Sequence, residues 1–212
     1  MKNRIVAICC GIVLTASTVW GQISVNNFSF ELPGSGKIKG WNGEAGADIP
    51  GWASDSQAVD SGVESDWPGS THGSWSGFLM QGDPSVWQLT SYIIQPTDKF
   101  SLLVDARNNW SATTPAKLSI SLYYDNAGAR ALAATSVFDL TDSWVTQTLG
   151  FDASTLPASW GKAIGIELAN GSSPSSWIGL DNVRLALVPE PSAFALMGCG
   201  VVALALRRRG AR

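Results

Sequence analysis

This 212-residue chain is predicted to form an all-β fold, an antiparallel β-sandwich of the jelly-roll kind, with one apolar helix at each end lying outside the sandwich. Three observations predict it. Apolar and polar residues alternate in short runs. Gly, Pro, Ser and Asn separate the runs. No internal segment keeps a 3.6-residue period over three turns. Eight or more short strands without helices are solved by two packed sheets, and the eight-stranded jelly roll is one standard arrangement.

In chain order, residues 1–21 carry the three parts of a secretory signal. Lys2 and Arg4 supply the positive start, residues 5–13 the apolar stretch, and Val19-Trp20-Gly21 a cleavage site before Gln22. Residues 23–31, 58–63, 75–81 and 86–92 are the first strand candidates. Residues 32–74, rich in Gly, Ser and acids, are expected to form long loops on one side of the sandwich. Phe100, Leu102, Val104 and Ala106 share one strand face, and so do Leu118, Ile120, Leu122 and Tyr124. Val145, Gln147, Leu149 and Phe151 make a third face and Ile164, Ile166 and Leu168 a fourth. Val183, Leu185 and Leu187 close the domain.

Residues 192–206 form an uncharged, mainly apolar run of 15 residues followed by Arg207, Arg208 and Arg209. At about 1.5 Å per residue such a helix falls a little short of a hydrocarbon core of about 30 Å. The arginines are expected to stop it at the cytoplasmic face and to snorkel. The order Val188-Pro189-Glu190-Pro191-Ser192, a short apolar helix and an arginine cluster resembles the PEP-CTERM protein-sorting domain. The resemblance covers 188–212: motif 188–192, transmembrane helix 192–206, basic tail 207–212. It implies export across the inner membrane of a Gram-negative bacterium that also makes exopolysaccharide. It further implies transient anchoring in that membrane, processing by an exosortase, and delivery to the envelope, cell surface or extracellular matrix.

Charge narrows the partners. Residues 22–191 carry eight Lys and Arg against seventeen Asp and Glu, a net charge of −9, because six of the fourteen basic residues lie in the two ends. An acidic domain without a basic cluster excludes nucleic acid as a natural partner. Cys9, Cys10 and Cys199 all lie in the ends, so no disulfide braces the domain. Nine tryptophans and a single histidine, His72, lie between.

The domain, residues 22–187, resembles the galactose-binding-like jelly rolls, a group that includes many carbohydrate-binding modules. The stretches that carry the resemblance are "NNFSFELPG" at 26–34, "IPGW" at 49–52, "VWQLTSYIIQPTDKFSLLVDAR" at 86–107, "FDLTDSWVTQTLGFDAS" at 138–154 and "WIGLDNVRL" at 177–185. In that group the opening glutamate and closing aspartate often share a structural calcium ion. The matching residues are Glu31 and Asp181, and two carboxylates with nearby carbonyls suit calcium's demand for oxygen.

The tryptophans suggest sugar binding, since an indole face covers the apolar face of a pyranose while polar neighbours read its hydroxyls. Trp67, Trp75, Trp87 and Trp110 are the candidates, with Asp66, Gln88, Asn108 and Asn109 beside them. Trp52, Trp144 and Trp177 match positions that pack. Support for catalysis is thin: the acids of 44–66 mark no pair, His72 has no second histidine, and no phosphate-binding or dinucleotide motif is present. The expectation is therefore a non-catalytic protein binding extracellular polysaccharide. A structural matrix protein without a ligand, and a glycan-active or calcium-dependent cyclase-like enzyme on a related jelly roll, are the alternatives.

Overall fold

The computed structural model describes residues 21–34, 38–39, 49–56, 58–65, 69–111, 113–172 and 176–189. Twelve strands follow one another: β1 Gly21–Ile23, β2 Ile38–Lys39, β3 Ala53–Ser54, β4 Gly62–Glu64, β5 Ser76–Met80, β6 Val86–Ile93, β7 Lys99–Asn108, β8 Ala116–Asn126, β9 Ala129–Leu140, β10 Val145–Asp152, β11 Ala163–Asn170 and β12 Trp177–Leu187. They form two antiparallel sheets. The seven-stranded sheet runs β10-β7-β12-β5-β4-β2 with β1 also on β12, and the five-stranded sheet runs β3-β6-β11-β8-β9. The predicted all-β sandwich is the observed fold. Its only helices among the described residues are two 3-10 turns, Ala153–Thr155 and Pro157–Ser159.

The alternation read from sequence is the packing pattern. Leu102, Val104 and Ala106 of β7, Leu118, Ile120 and Leu122 of β8, Ile164, Ile166 and Leu168 of β11, and Ile178, Leu180, Val183 and Leu185 of β12 are buried between the sheets. Trp52 stacks on Phe30 with ring centroids 5.3 Å apart, and its indole N–H donates to the Asn27 carbonyl. Both rings are buried, and Phe30 presses on Gly77, where a Cβ would stand 3.2 Å from it.

Within 32–74, where loops on one side were expected, β2 and β3 are short strands that join different sheets. Two further elements differ from expectation. Residues 26–31 are a compact turn rather than the continuation of a strand. Asn27 and Phe30 both have positive φ, Phe30 N–H donates to the Asn27 carbonyl, and the Asn27 side chain bonds the Leu32 backbone at both N–H and C=O. An asparagine side chain that satisfies its own turn outcompetes the ladder. The second is β9, a twelve-residue strand that the sequence reading leaves out. It is the edge of the five-stranded sheet and alternates only weakly, with alanines on both faces. A two-residue turn at Ala127 and Gly128, both at positive φ, joins it to β8. No described helix is long and apolar enough to cross a membrane. Residues 1–20 of the expected signal and the tail from 190 onward, with Glu190, Pro191, Arg207, Arg208 and Arg209, lie outside the described residues, as does Trp67, while Gly21, expected to end the signal, opens β1.

Candidate active site

The outer face of the seven-stranded sheet carries a pair of buried carboxylates. In the register of β12 and β7, Asp181 stands directly opposite Asp105. The register then slips by one residue between Asp181 and Arg184. Asn182 takes positive φ in this bulge, so Val183 still enters the core while Asp181 and Asn182 both serve the outer face.

Every oxygen of the pair is engaged. Asp105 Oδ1 accepts from Thr146 Oγ1 (2.6 Å) and Arg184 Nη2 (3.2 Å), and its Oδ2 accepts from Asn182 Nδ2 (3.0 Å). Asp181 Oδ1 accepts from the Asn182 N–H (2.6 Å), and its Oδ2 from the Thr71 N–H (2.6 Å) and the His72 N–H (2.8 Å). The Thr71 hydroxyl lies between them, 2.8 Å from Asp105 Oδ2 and 3.0 Å from Asp181 Oδ2. A hydroxyl has one hydrogen to give. With both acids ionised, one of these contacts has no proton in it; a proton on Asp181 completes both.

The environments separate the two acids. Burial, the largest influence, pushes Asp181 above the ordinary carboxylate range despite the backbone N–H groups of His72 and Thr71. At Asp105 burial is again the largest single influence and acts upward. The bonds from Thr146, Thr71 and Asn182 and the charge of Arg184 together outweigh it and hold the acid below its usual value. One acid that holds its proton more tightly than its neighbour is the arrangement of a general acid and its partner base.

Two residues further along the same strands, roughly 7 Å away, Gly179 pairs with Arg107. A Cβ at Gly179 would stand 2.5 Å from Asn109 Oδ1 and 3.0 Å from Trp144 Cη2, so both side chains rest on bare backbone there. Asn109 is 2% exposed, and neither its Nδ2 nor its Oδ1 has a hydrogen-bond partner among the described residues. Arg107 lies 5.9 Å from the Trp144 ring. An unsatisfied buried amide costs stability, so its retention beside two acids points to a group supplied from outside.

The residues picked from sequence are distributed differently. Glu31 and Asp181 both grip one loop. Glu31 Oε1 accepts from the Ser74 and Trp75 N–H groups (2.9 Å each), while Asp181 takes those of Thr71 and His72. Between them Gly73 has positive φ, and Glu31 Oε1 would be 2.3 Å from a Cβ at that position. Backbone N–H donors of this loop occupy Glu31 Oε1 and Asp181 Oδ2, so a calcium ion would take those two oxygens only by displacing the loop, and no three described His, Cys, Asp or Glu side chains are grouped to hold a metal. His72 serves through its backbone, with its ring against Phe28 at 4.9 Å.

The described candidate tryptophans, Trp75, Trp87 and Trp110, do not converge on one site. Trp75 packs against the core, Trp87 lies on the outer face of the opposite sheet, and Trp110, 55% exposed, tilts against Trp177 at 4.5 Å. Gln88 is buried and bonds the Asn26 backbone at both ends, and Asn108 ties its own loop through Ser111 and Thr114. Neither is free to read a sugar. Asp105 and Thr71 are the functional candidates that sequence reasoning missed. The available signal was an acid in the middle of an otherwise apolar strand.

Residues 21–186 match the HpiC1-like family model, described as HpiC1 cyclase. The chain belongs to the HpiC1-like family. Residues 187–209 match the PEP-CTERM protein-sorting motif, so this HpiC1-like chain is an exported protein sorted by an exosortase. No curated protein matches it in sequence. Among solved structures it is similar to Fisc, a Stig cyclase from Fischerella sp. TAU in complex with (3Z)-3-(1-methyl-2-pyrrolidinylidene)-3H-indole. Identity is 19%, TM-score 0.62, with 80% of this chain and 98% of that chain covered. A cyclase from the same source is 18% identical at TM-score 0.64, over 80% of this chain and 98% of its own. A carbohydrate-binding module, CBM4, is 15% identical at TM-score 0.52, over 78% of this chain and all of its own. At these identities the likenesses show a shared jelly-roll fold.

Proposed function

We propose that the exported domain is an enzyme of proton-initiated rearrangement or cyclisation, with Asp181 as the acid and Asp105 as its conjugate partner. The carrying observation is the Asp181–Asp105 pair, oppositely shifted and joined through the Thr71 hydroxyl. Asp181 gives a proton to an electron-rich unsaturated carbon, leaving a cation. Asp105, anionic beside Arg184, stabilises that charge and receives the proton lost when the product forms, and the Thr71 hydroxyl between the two acids passes a proton back to Asp181 to restore the starting state. The bare amide of Asn109 and the indole of Trp144 suit an aromatic substrate bearing one polar N–H or C=O. The family model and the indole-bound Fischerella structure support this class.

The test is turnover of a panel of prenylated and alkenyl indoles, read by mass spectrometry. Asp181→Asn is expected to lower turnover at least 100-fold with the circular dichroism spectrum unchanged. Full turnover in that variant, or none across the panel in the native protein, sinks the proposal. The non-catalytic, polysaccharide-binding reading stands second, favoured by the exposed Trp110 beside Trp177 and by the CBM4-like fold.

A further inference from the structure

The five buried side-chain atoms without a hydrogen-bond partner among the described residues fall in only two places. Two belong to Asn109. The other three are Trp87 Nε1, Tyr123 Oη and Arg130 Nε, which lie together on the outer face of the five-stranded sheet, on the far side of the sandwich from the acid pair. All three are donors.

The register explains how they meet. Leu89 of β6, Gly165 of β11, Tyr123 of β8 and Leu132 of β9 are successive cross-strand partners and form one row across the sheet. Four strands at about 4.8 Å give a ledge of roughly 14 Å. Gly165 is required there, because a Cβ would stand 2.1 Å from the Tyr123 ring, which lies flat across it. Leu89 and Leu132 remain 40% and 59% exposed at the two ends of the row.

Arg130 borders the row. Its guanidinium lies 4.7 Å over the Trp87 ring and is paired with Asp55, while its Nε stands 3.5 Å from Glu167 without forming a hydrogen bond. The Asp55 carboxyl is held below its usual value, first by the bond from Arg130 and to a smaller extent by the Trp87 indole N–H, which makes no hydrogen bond of ordinary geometry. Tyr123 is 3% exposed, and burial raises its phenol far above its usual range, so it stays a neutral donor. A cleft of about 230 Å³ is lined by Trp87, Leu89, Tyr123, Asp125 and Arg130 with Gly128 and Ala129.

The ligand class follows. Tyr123 Oη has no acceptor, and Trp87 Nε1 and Arg130 Nε have only the carboxylates of Asp55 and Glu167 nearby without a hydrogen bond of ordinary geometry, so the cleft calls for a molecule that brings acceptor oxygens. Arg130 is outnumbered by Asp55, Glu167 and Asp125, so an anion is disfavoured. The apolar ledge calls for a molecule with a C–H face. We infer that this face is a second binding site, distinct from the acid pair, for a neutral oligosaccharide laid across β6, β11, β8 and β9. It does not depend on the enzyme reading.

Calorimetric titration of the full chain with cellohexaose, xylohexaose, laminarihexaose and mannohexaose, and with anionic hexagalacturonate, tests this. At least one neutral sugar is expected to bind, and more tightly than the anion. Tyr123→Phe removes a hydroxyl that has no partner in the free protein, so its melting temperature should hold or rise while affinity falls five- to tenfold. Leu132→Asp should weaken binding likewise, and Trp110→Ala should not. No binding by any neutral sugar at millimolar concentration, tighter binding of the anion, or native affinity in Tyr123→Phe overturns the inference. Binding lost in Trp110→Ala but kept in Tyr123→Phe transfers the sugar to the Trp110 surface.

Discussion

Asp181 and Asp105 leave opposite signatures in stability. Asp181 has its folded-state value raised, so the folded protein holds this proton more tightly than the unfolded chain. Its contribution is complete below the ordinary value of 3.8 and is lost as pH rises through the raised value. Asp105 has its folded-state value lowered, so its contribution is present above 3.8 and is lost as pH falls through the lowered value. Thermal melts between pH 3 and pH 8 are the check. The cost of Asp181→Asn should shrink as pH rises from about 4, whereas the cost of Asp105→Asn should be greatest at neutral pH and shrink below 3.8. Parallel pH curves for the two variants would mean that the acids are equivalent and the assigned roles wrong. At this scale the sequence was half legible. Asp181 stood out in its closing motif, but Asp105 sits inside "LLVDAR" as one strand residue among others. Only the β12–β7 register sets the two side by side.

Among the elements, the loop from Thr71 to Trp75 links the opening turn to the closing strand. Glu31 holds its end and Asp181 its beginning, through four backbone N–H groups. Charge-assisted bonds of this kind are stronger than neutral ones. The calcium that the jelly-roll resemblance implies becomes a proposal about this loop: an ion held by Glu31 and Asp181 must release it. Adding calcium to EDTA-treated protein is then expected to raise the melting temperature and to shift Trp75 fluorescence together. A flat response removes the ion from these two residues. Elements with one buried face were easy to read, because period-two alternation in β7, β8 and β11 is the direct trace of burial. The edge strand β9 was not, since both its faces are partly exposed and its pattern carries little information. The Asn27 turn hid inside an apparently continuous run for a different reason: its hydrogen bonds are made by a side chain, which no hydropathy pattern records.

For the whole molecule, the two family matches meet between residues 186 and 187, and the last ladder position of β12 is Leu187. Removing residues 190–212 is therefore expected to leave the melting temperature of the domain within about 2 °C of the full chain, which differential scanning calorimetry would show. A larger drop would make the tail part of the fold. At the surface of the producing cell, mass spectrometry should find the protein without Arg207–Arg209, as processing by an exosortase requires.

Gln22 and Ala186, near the two ends of the exported domain, are cross-strand partners on one rung. Tension between the two ends of the domain would load the β1–β12 ladder one rung at a time and peel away Gln22 and Ile23 before it reached the other strands. A pull from the tail alone travels instead down β12, the strand that carries Asp181, flanked along its length by β7 and by β5 and β1. The end of β12 at Trp177 lies about 35 Å from that tether, given roughly 3.3 Å per strand residue. Trp110 beside it would point away from whatever surface holds the tail.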